Sequence, residues 1–323
     1  MIRGAWVVPV ALALGLAPIA AFASDRYALV VSGASGAPQY AAQYDTWRTS
    51  LVDTLSRGLS YPQDHLLVLA EREADGVGKA TRENVRRALS SMARRATGND
   101  LVLIVLIGHG TGTDGDDAKF NLVGPDLNAR EWADLVRPLA GRVVFVNTAS
   151  GSFPFLEALS GHGRIVVTAN DSAAQQYETV FPGDFVKALA HASADLDKNG
   201  RVSIWEAFAA ASAGVRRWYE ERGQLVTERA LLDDSGDGVG QEADGVGRDG
   251  PVAMVTYLQS EPPIPETGNP ELTSLLRRRA DLEAALERLR ARKSSMRADE
   301  YQSALERILV EIAQVDRRIR AKS

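Results

Sequence analysis

The sequence predicts an α/β fold, in which a mostly parallel sheet is flanked by helices and followed by a helical appendage. Short apolar segments alternate with amphipathic segments from residue 27 to residue 167, and this alternation is typical of a parallel sheet with helices on both faces. The segment LVLIVLI at residues 101–107 is apolar throughout, as expected of a strand buried on both faces. With 323 residues, 45% of them apolar, the chain is long enough for one large domain and a smaller addition.

The first 23 residues have the pattern of a secretory signal peptide. Arg3 is followed by an apolar run over residues 5–20, and the small residues Ala21 and Ala23 follow that run. This pattern predicts cleavage after about residue 23 and a periplasmic or secreted protein; a retained N-terminal anchor is the alternative. Because no later stretch is long and apolar enough for a spanning helix, we expect no membrane association once the signal is removed.

The α/β domain is predicted over residues 24–182. Its turns and helix starts are marked by glycines and by a cap at Thr81, which precedes Glu83. The predicted strands are residues 27–31, 65–70, 101–107, 143–146 and 165–167, and the predicted helices are residues 40–59, 81–96 and 129–139. A last strand is predicted at residues 252–259, where the sequence reads VAMVTYLQ.

Polar residues follow three of these strands. The turn SGASG comes after the first, His109 in the sequence GHG after the third, and Ser150 in the sequence NTASGS after the fourth. Sites in parallel sheets gather at the carboxyl ends of the strands, so we expect these residues to lie together in a cleft.

This arrangement resembles the caspase/legumain clan of cysteine peptidases, and its legumain-like branch in particular, over residues 26–170. The opening LVVSGASGAPQYAAQYD, with Gln43 and Asp45, is also similar to the legumain opening. The resemblance implies that His109 is the general base or orienting group and that Ser35 supports it. It also implies that the pair Ala149-Ser150 stands where the family has its Ala-Cys pair, with Ser150 at the position of the nucleophile.

The sequence departs from the family at the positions that matter most for catalysis. It contains no Cys, so Ser150 stands at the nucleophile position, with Ser152 as an alternative match. The family's arginine for binding a substrate Asn falls on Ala41, and an acidic residue before the Ala-Cys pair falls on Thr148. Specificity for asparaginyl bonds is therefore not implied.

A serine in this position lacks the easy ionisation of a thiol, whose pKa is near 8.5. A Ser hydroxyl needs a close base that is itself oriented by a third group. The sequence therefore predicts a catalytically degenerate peptidase homologue that binds peptides or partner proteins. The alternative is a calcium-dependent Ser–His peptidase or amidase that uses Ser150 and His109, although the GxSxG elbow of ordinary serine hydrolases is missing.

The segment DLDKNGRVSIWE has the twelve-residue pattern of an EF-hand calcium loop. Gly200 stands at position 6, where the loop turns sharply, and helical sequence lies on both sides. Because Ca²⁺ prefers six to eight oxygen ligands, the pattern predicts calcium binding, with a plain Asp/Asn/Gly surface loop as the alternative. The predicted ligands at positions 1, 3, 5, 7, 9 and 12 are Asp195, Asp197, Asn199, the Arg201 carbonyl, Ser203 and Glu206.

A second acidic stretch, DDSGDGVGQEAD, matches the calcium-loop pattern in part. Asp233, Ser235 and Asp237 occupy positions 1, 3 and 5, and Asp244 occupies position 12. No strongly helical segment follows, so a flexible acidic turn is the alternative. Since EF-hands usually occur in pairs, this weaker second site is expected to be the structural partner of the first, within a calcium-binding segment over residues 183–258.

The C-terminal part of the chain changes in character. A Pro-rich linker is predicted at residues 259–270, followed by a helical hairpin at residues 271–323 that turns near residues 294–299. Leu275, Leu282, Leu289 and Met296 recur every seven residues, as in helices that pack along one apolar stripe. The hairpin either folds back on its own domain or makes a homo-oligomer, in which case the protein would be a scaffold. The net charge of −5 gives no reason to expect nucleic-acid binding.

Overall fold

A computed structural model describes residues 24–112, 117–172, 175, 177–260, 267–291 and 296–322. The predicted signal peptide lies outside the described residues. In the described part of the chain, no helix is both long and apolar enough to cross a membrane.

The centre of the fold is a seven-stranded sheet, and its class confirms the α/β prediction. Strand β10 runs antiparallel to β9, and the other neighbours are parallel, in the order β10-β9-β8-β4-β1-β2-β3. These strands are β1 (Arg26–Ser32), β2 (Leu66–Ala70), β3 (Gly78–Lys79), β4 (Leu101–Ile107), β8 (Arg142–Asn147), β9 (Arg164–Thr168) and β10 (Leu231–Asp233). A separate three-stranded antiparallel sheet joins β5 (Gly110–Thr111), β6 (Lys119–Phe120) and β7 (Leu127–Asn128).

Helices cover both faces of the large sheet, because the strands are apolar on both sides. In β4, Leu103 and Val105 belong to one buried cluster, and Ile104 and Leu106 belong to the other. The first cluster includes residues of α1 (Pro38–Asp53), α5 (Phe181–Ala190) and α6 (Ile204–Glu220), and the second includes residues of α2 (Arg82–Arg95), α3 (Ala129–Val136) and α4 (Phe153–Leu159).

The predicted last strand at residues 252–259 is not formed, and Leu231–Asp233 takes the edge position instead. The segment holds a short 3-10 turn, Ala253–Val255. Its backbone is fixed by the buried Asp234, whose carboxylate accepts N–H groups of Gly250, Val252 and Ala253. These N–H groups are thereby unavailable to a sheet ladder.

The predicted helical hairpin is confirmed as α7 (Pro270–Ala291) and α8 (Ala298–Arg320). Leu275 and Leu282 of α7 pack against Val315 and its neighbours on α8. Ion pairs between the helices include Arg279 with Asp316, at 3.2 Å. The apolar stripe that the sequence spaced at seven residues therefore lies between the two helices.

Helix α3 offers a direct test of the local structure, because Asn128 and Glu131 form a capping box at its start. The Asn128 side chain accepts the Glu131 N–H at 2.9 Å. We expect Asn128→Ala to lower the free energy of unfolding by about 1 kcal/mol. Urea denaturation measures this, and Asn99→Ala, at an exposed position with no cap, is the matched control. Equal stability of the two variants would contradict this account of the helix start.

Candidate functional site

The carboxyl ends of β4 and β8 bring the loops of His109 and Ser150 side by side, because the two strands are direct neighbours. Gly110 makes this approach possible. A Cβ atom at Gly110 would lie 2.1 Å from the Ser150 carbonyl oxygen, so any side chain here would push the two loops apart. The structure thus places the two predicted catalytic positions at one edge of the sheet.

The Ser150 side chain is turned into the protein and is bonded to backbone. The residue is 2% exposed. Its hydroxyl accepts the Gly110 N–H at 3.2 Å and is 3.4 Å from the Gly110 carbonyl, to which it donates. Among the described residues, it has no hydrogen bond with His109. The hydroxyl is therefore neither exposed to a substrate nor paired with a base.

Ser152, the alternative match, lies deeper and has a structural role. It is fully buried, donates to Asn170 Oδ1 at 3.1 Å and accepts the Ala169 N–H at 3.0 Å. These bonds tie the loop after β8 to the loop after β9. Of the two serines, Ser150 is the one that contacts the His109 loop.

The partner of His109 is Glu178, a residue that the sequence analysis did not find. Nδ1 of His109 lies 3.1 Å from Oε2 of Glu178, and the same carboxylate oxygen accepts the Tyr44 hydroxyl at 3.2 Å. Tyr40 and Tyr44 meet the imidazole edge-on, with ring centroids 4.8 and 5.5 Å away. Glu178 lies ten residues beyond the end of β9, in a segment without a recognisable motif, so no sequence signal pointed to it.

Burial shapes the protonation of this pair. It lowers the pKa of His109, an effect that a hydrogen bond to the Ser35 backbone partly offsets. Burial also raises the pKa of Glu178 to about 7, against the lowering effect of the Tyr44 hydrogen bond. Both shifts disfavour the charged form, so burial favours the neutral form of each side chain in this short contact.

Ser35 contacts His109 through its backbone, whereas the sequence analysis assigned it a supporting role without specifying the atoms. Its hydroxyl donates to Oε2 of Glu71 at 2.7 Å, away from the imidazole. The imidazole of His109 instead donates a hydrogen bond to the Ser35 backbone. Any residue could supply that bond, so the identity of the side chain at this position is not what orients the imidazole.

The first acidic loop brings its predicted carboxylates together. One oxygen each from Asp195, Asp197 and Glu206 lies within 4.8 Å of the others. Asp195 accepts the N–H groups of Asn199 and Gly200, at 3.1 and 2.8 Å. Burial raises the pKa of Asp197, and the neighbouring Glu206 and Asp195 carboxylates add to that rise. Like charges held this close are the arrangement that a divalent cation relieves.

The same loop is joined to the helix that follows it and to the segment after the second loop. Ser203 and Glu206 form the capping box that starts α6, and Glu206 Oε1 also accepts the Leu196 N–H at 2.8 Å. Asn199 donates to the Tyr257 hydroxyl at 3.0 Å, and the Arg201 guanidinium lies 3.8 Å from the centre of the Tyr257 ring. Asn199 and Ser203 therefore lie beside the acidic group.

The second acidic loop closes through Asp249, not through Asp244. Asp233, Asp237 and Asp249 each place an oxygen within 4.8 Å of the others, and Ser235 donates to Asp233 at 3.3 Å. Asp244 is instead exposed and paired with Arg216. The EF-hand spacing failed here because the chain folds back after Gly240. Its next residue pairs with the backbone of β10 in an isolated bridge between Gln241 and Leu232.

Asp249 is well placed to complete the second acidic group. It is 9% exposed, and its Oδ1 accepts the N–H groups of Asp234 and Ser235, both at 3.0 Å. Burial raises the pKa of Asp249 to about 6, and the nearby Asp233 carboxylate adds to that rise.

In the described part of the chain, no backbone bridge joins the two loops as it does in an EF-hand pair. Ser203 of the first loop forms its isolated bridge with Tyr257, whereas the second loop uses Gln241. The second loop is therefore bridged to β10, and the first loop is bridged to Tyr257, where a direct pairing of the two loops was expected.

Comparisons with known proteins give little guidance. No protein family matches the chain, and no curated protein matches it. Among solved structures, the crystal structure of protein GSU0716 from Geobacter sulfurreducens is 13% identical, with a TM-score of 0.43, and the match covers 65% of this chain and 92% of that one. A likeness at this level says nothing about function.

The raised pKa of Glu178 predicts a specific pH dependence of stability. Because the folded state keeps the proton up to about pH 7 and the unfolded chain releases it near pH 4.5, this residue costs stability as the pH rises through that window. We expect Glu178→Gln, which stays neutral, to gain stability relative to wild type between pH 5 and pH 8.

Urea denaturation at both pH values measures this difference, with Glu73→Gln, at an exposed position, as the matched control. A relative stability of Glu178→Gln that is constant with pH, or that falls as the pH rises, would contradict the assignment.

Proposed function

We propose that the protein is an exported calcium-binding protein, related in form to caspase/legumain-like peptidases but without catalysis. The observation that carries the proposal is the convergence of Asp195, Asp197 and Glu206 within a loop of EF-hand sequence. Three carboxylates, an amide oxygen at Asn199 and a backbone carbonyl at Arg201 form the hard, all-oxygen donor set that Ca²⁺ prefers. The signal-like N-terminus supports export.

The acidic groups favour a divalent cation on electrostatic grounds. Each group gathers three carboxylates within 4.8 Å, and like charges at that distance repel one another strongly where water is partly excluded. In the second group, Asp233 and Asp249 are almost fully buried. A cation would remove this repulsion and tie each loop to the elements on either side of it.

The arrangement at the carboxyl edge of the sheet argues against hydrolysis. Adjacent strands present His109 and Ser150, as the resemblance to the peptidases requires. The Ser150 hydroxyl, however, is bonded to Gly110, and Nδ1 of His109 faces Glu178. A serine nucleophile needs an oriented base within hydrogen-bond reach, and that pairing is not made. We therefore assign this edge of the sheet to the binding of a peptide or partner protein.

Calcium should bind the first loop through its carboxylates. We expect Ca²⁺ to raise the melting temperature, since a ligand at about 100 times its Kd adds about 2.7 kcal/mol to the free energy of unfolding. Asp195→Asn should weaken calcium binding at this loop at least about tenfold, because it removes one ligand charge.

Isothermal titration calorimetry measures the affinity, with Asp75→Asn as a matched control at an exposed position. Absence of both calcium binding and thermal stabilisation would refute the proposed function.

The second loop allows a test of which aspartate, Asp249 or Asp244, belongs to its calcium site. Because Asp249 joins the acidic group and Asp244 pairs with Arg216, Asp249→Asn should weaken the second calcium-binding event, and Asp244→Asn should leave it unchanged. The two variants carry the same chemical change, so each serves as the control for the other. Loss of binding in Asp244→Asn alone would show that the loop follows the EF-hand spacing after all.

A second candidate function is a homo-oligomeric scaffold, and the exposed apolar residues of α8 favour it. Leu309 and Val310 are 45% and 49% exposed and line a groove along the helix with Leu305 and Ala313. We expect Leu309→Glu to shift an oligomer to monomer in light scattering if this face self-associates, and Ala298→Glu, exposed at the start of the helix, to have no effect. A monomeric wild-type protein would exclude this candidate.

A further inference from the structure

A cleft of about 280 Å³ lies at the opposite edge of the sheet from His109 and Ser150. One wall is formed by the first residues of β4 and β8, Leu101 and Arg142, which are paired in register. Arg201 of the first acidic loop and Arg288 of α7 also line it. Three arginines from three distant parts of the sequence thus meet around one space.

Arg142 carries a charge that the protein leaves largely uncompensated. Its guanidinium donates to the Thr256 hydroxyl at 3.1 Å, and among the described residues it forms no ion pair. The acidic group that acts on it, Asp234, already accepts three backbone N–H groups. Burial lowers the pKa of Arg142, as expected where a cation is removed from water without an adequate anion.

Two further arginines and one aspartate line the cleft. Arg201 stacks on Tyr257, which also lines the cleft, and Arg288 is exposed on α7 and makes no ion pair with the described residues. Asp100 is the acidic member of the lining. Its carboxylate accepts the Asp25 N–H, the Thr97 N–H and the Thr97 hydroxyl, so it is already engaged.

We propose that this cleft binds a phosphate group, as free phosphate or as a phosphate monoester. Arg142 and Arg288 make no ion pair with the described residues, and a phosphate monoester carries about −1.5 to −2 at pH 7. The planar guanidinium fork matches the spacing of phosphate oxygens and donates two parallel hydrogen bonds. Phosphate would supply the counter-charge that Arg142 lacks and would link the sheet to the acidic loop and the hairpin.

The test is calorimetric titration of the purified protein with inorganic phosphate and, separately, with phosphoserine, in calcium-free buffer. We expect one site, weakened at least about tenfold by Arg288→Gln, because a hydrogen bond to a charged group is worth about 1.5–3 kcal/mol. Arg290→Gln, which removes the same charge from an exposed position two residues away, should bind as wild type does. Arg288 is exposed, so this variant is expected to fold.

Three results would overturn the proposal. They are no binding at millimolar phosphate, equal weakening by Arg288→Gln and Arg290→Gln, or glutarate binding as tightly as phosphate with the same loss in Arg288→Gln. Tighter binding of phosphoserine than of phosphate would identify the monoester as the ligand, and the reverse order would identify the free anion.

Discussion

Strand β4 is the constraint on which the rest of the fold depends. All seven residues of Leu101–Ile107 are buried, and the strand pairs in parallel with β1 on one side and β8 on the other. Each buried Val, Leu or Ile side chain contributes about 1.5–3 kcal/mol relative to its exposed state. An apolar strand in this position requires helices on both faces, and it fixes the adjacency of every loop that leaves the sheet.

Because β4 and β8 are neighbours, residues at both ends of these two strands lie close together. At the carboxyl ends, the turn after β4 and the turn after β8 bring His109 and Ser150 into neighbouring loops. At the amino ends, the paired residues Leu101 and Arg142 open toward the first acidic loop and α7. The acidic loops lie outside the sheet core, on connections around α6 and β10. The sheet therefore acts as a rigid support, and the chemistry lies in the loops attached to it.

The sequence predicted the parts of this structure that depend on local patterns. Continuous apolar runs located five of the six parallel strands in the described part of the chain. The spacing of the first loop picked out the three carboxylates that lie together. Local sequence patterns could not predict contacts between distant segments. Glu178 meets His109 through a loop without a motif, and Asp249 replaces Asp244 because the chain folds back along β10. The edge strand was misplaced because Asp234 accepts the N–H groups of Val252 and Ala253, where the chain forms the turn Ala253–Val255.

We propose that the site beside His109 binds a peptide or partner protein without hydrolysing it. Hydrolysis of a broad fluorogenic peptide library by the purified protein, with calcium and with chelator, tests this most directly, with Ser150→Ala and His109→Ala measured alongside. The account predicts the same background rate for all three proteins, because the Ser150 hydroxyl is bonded to Gly110 and His109 is bonded to Glu178. Hydrolysis by wild type that both substitutions abolish would contradict it and would make Ser150 a true nucleophile.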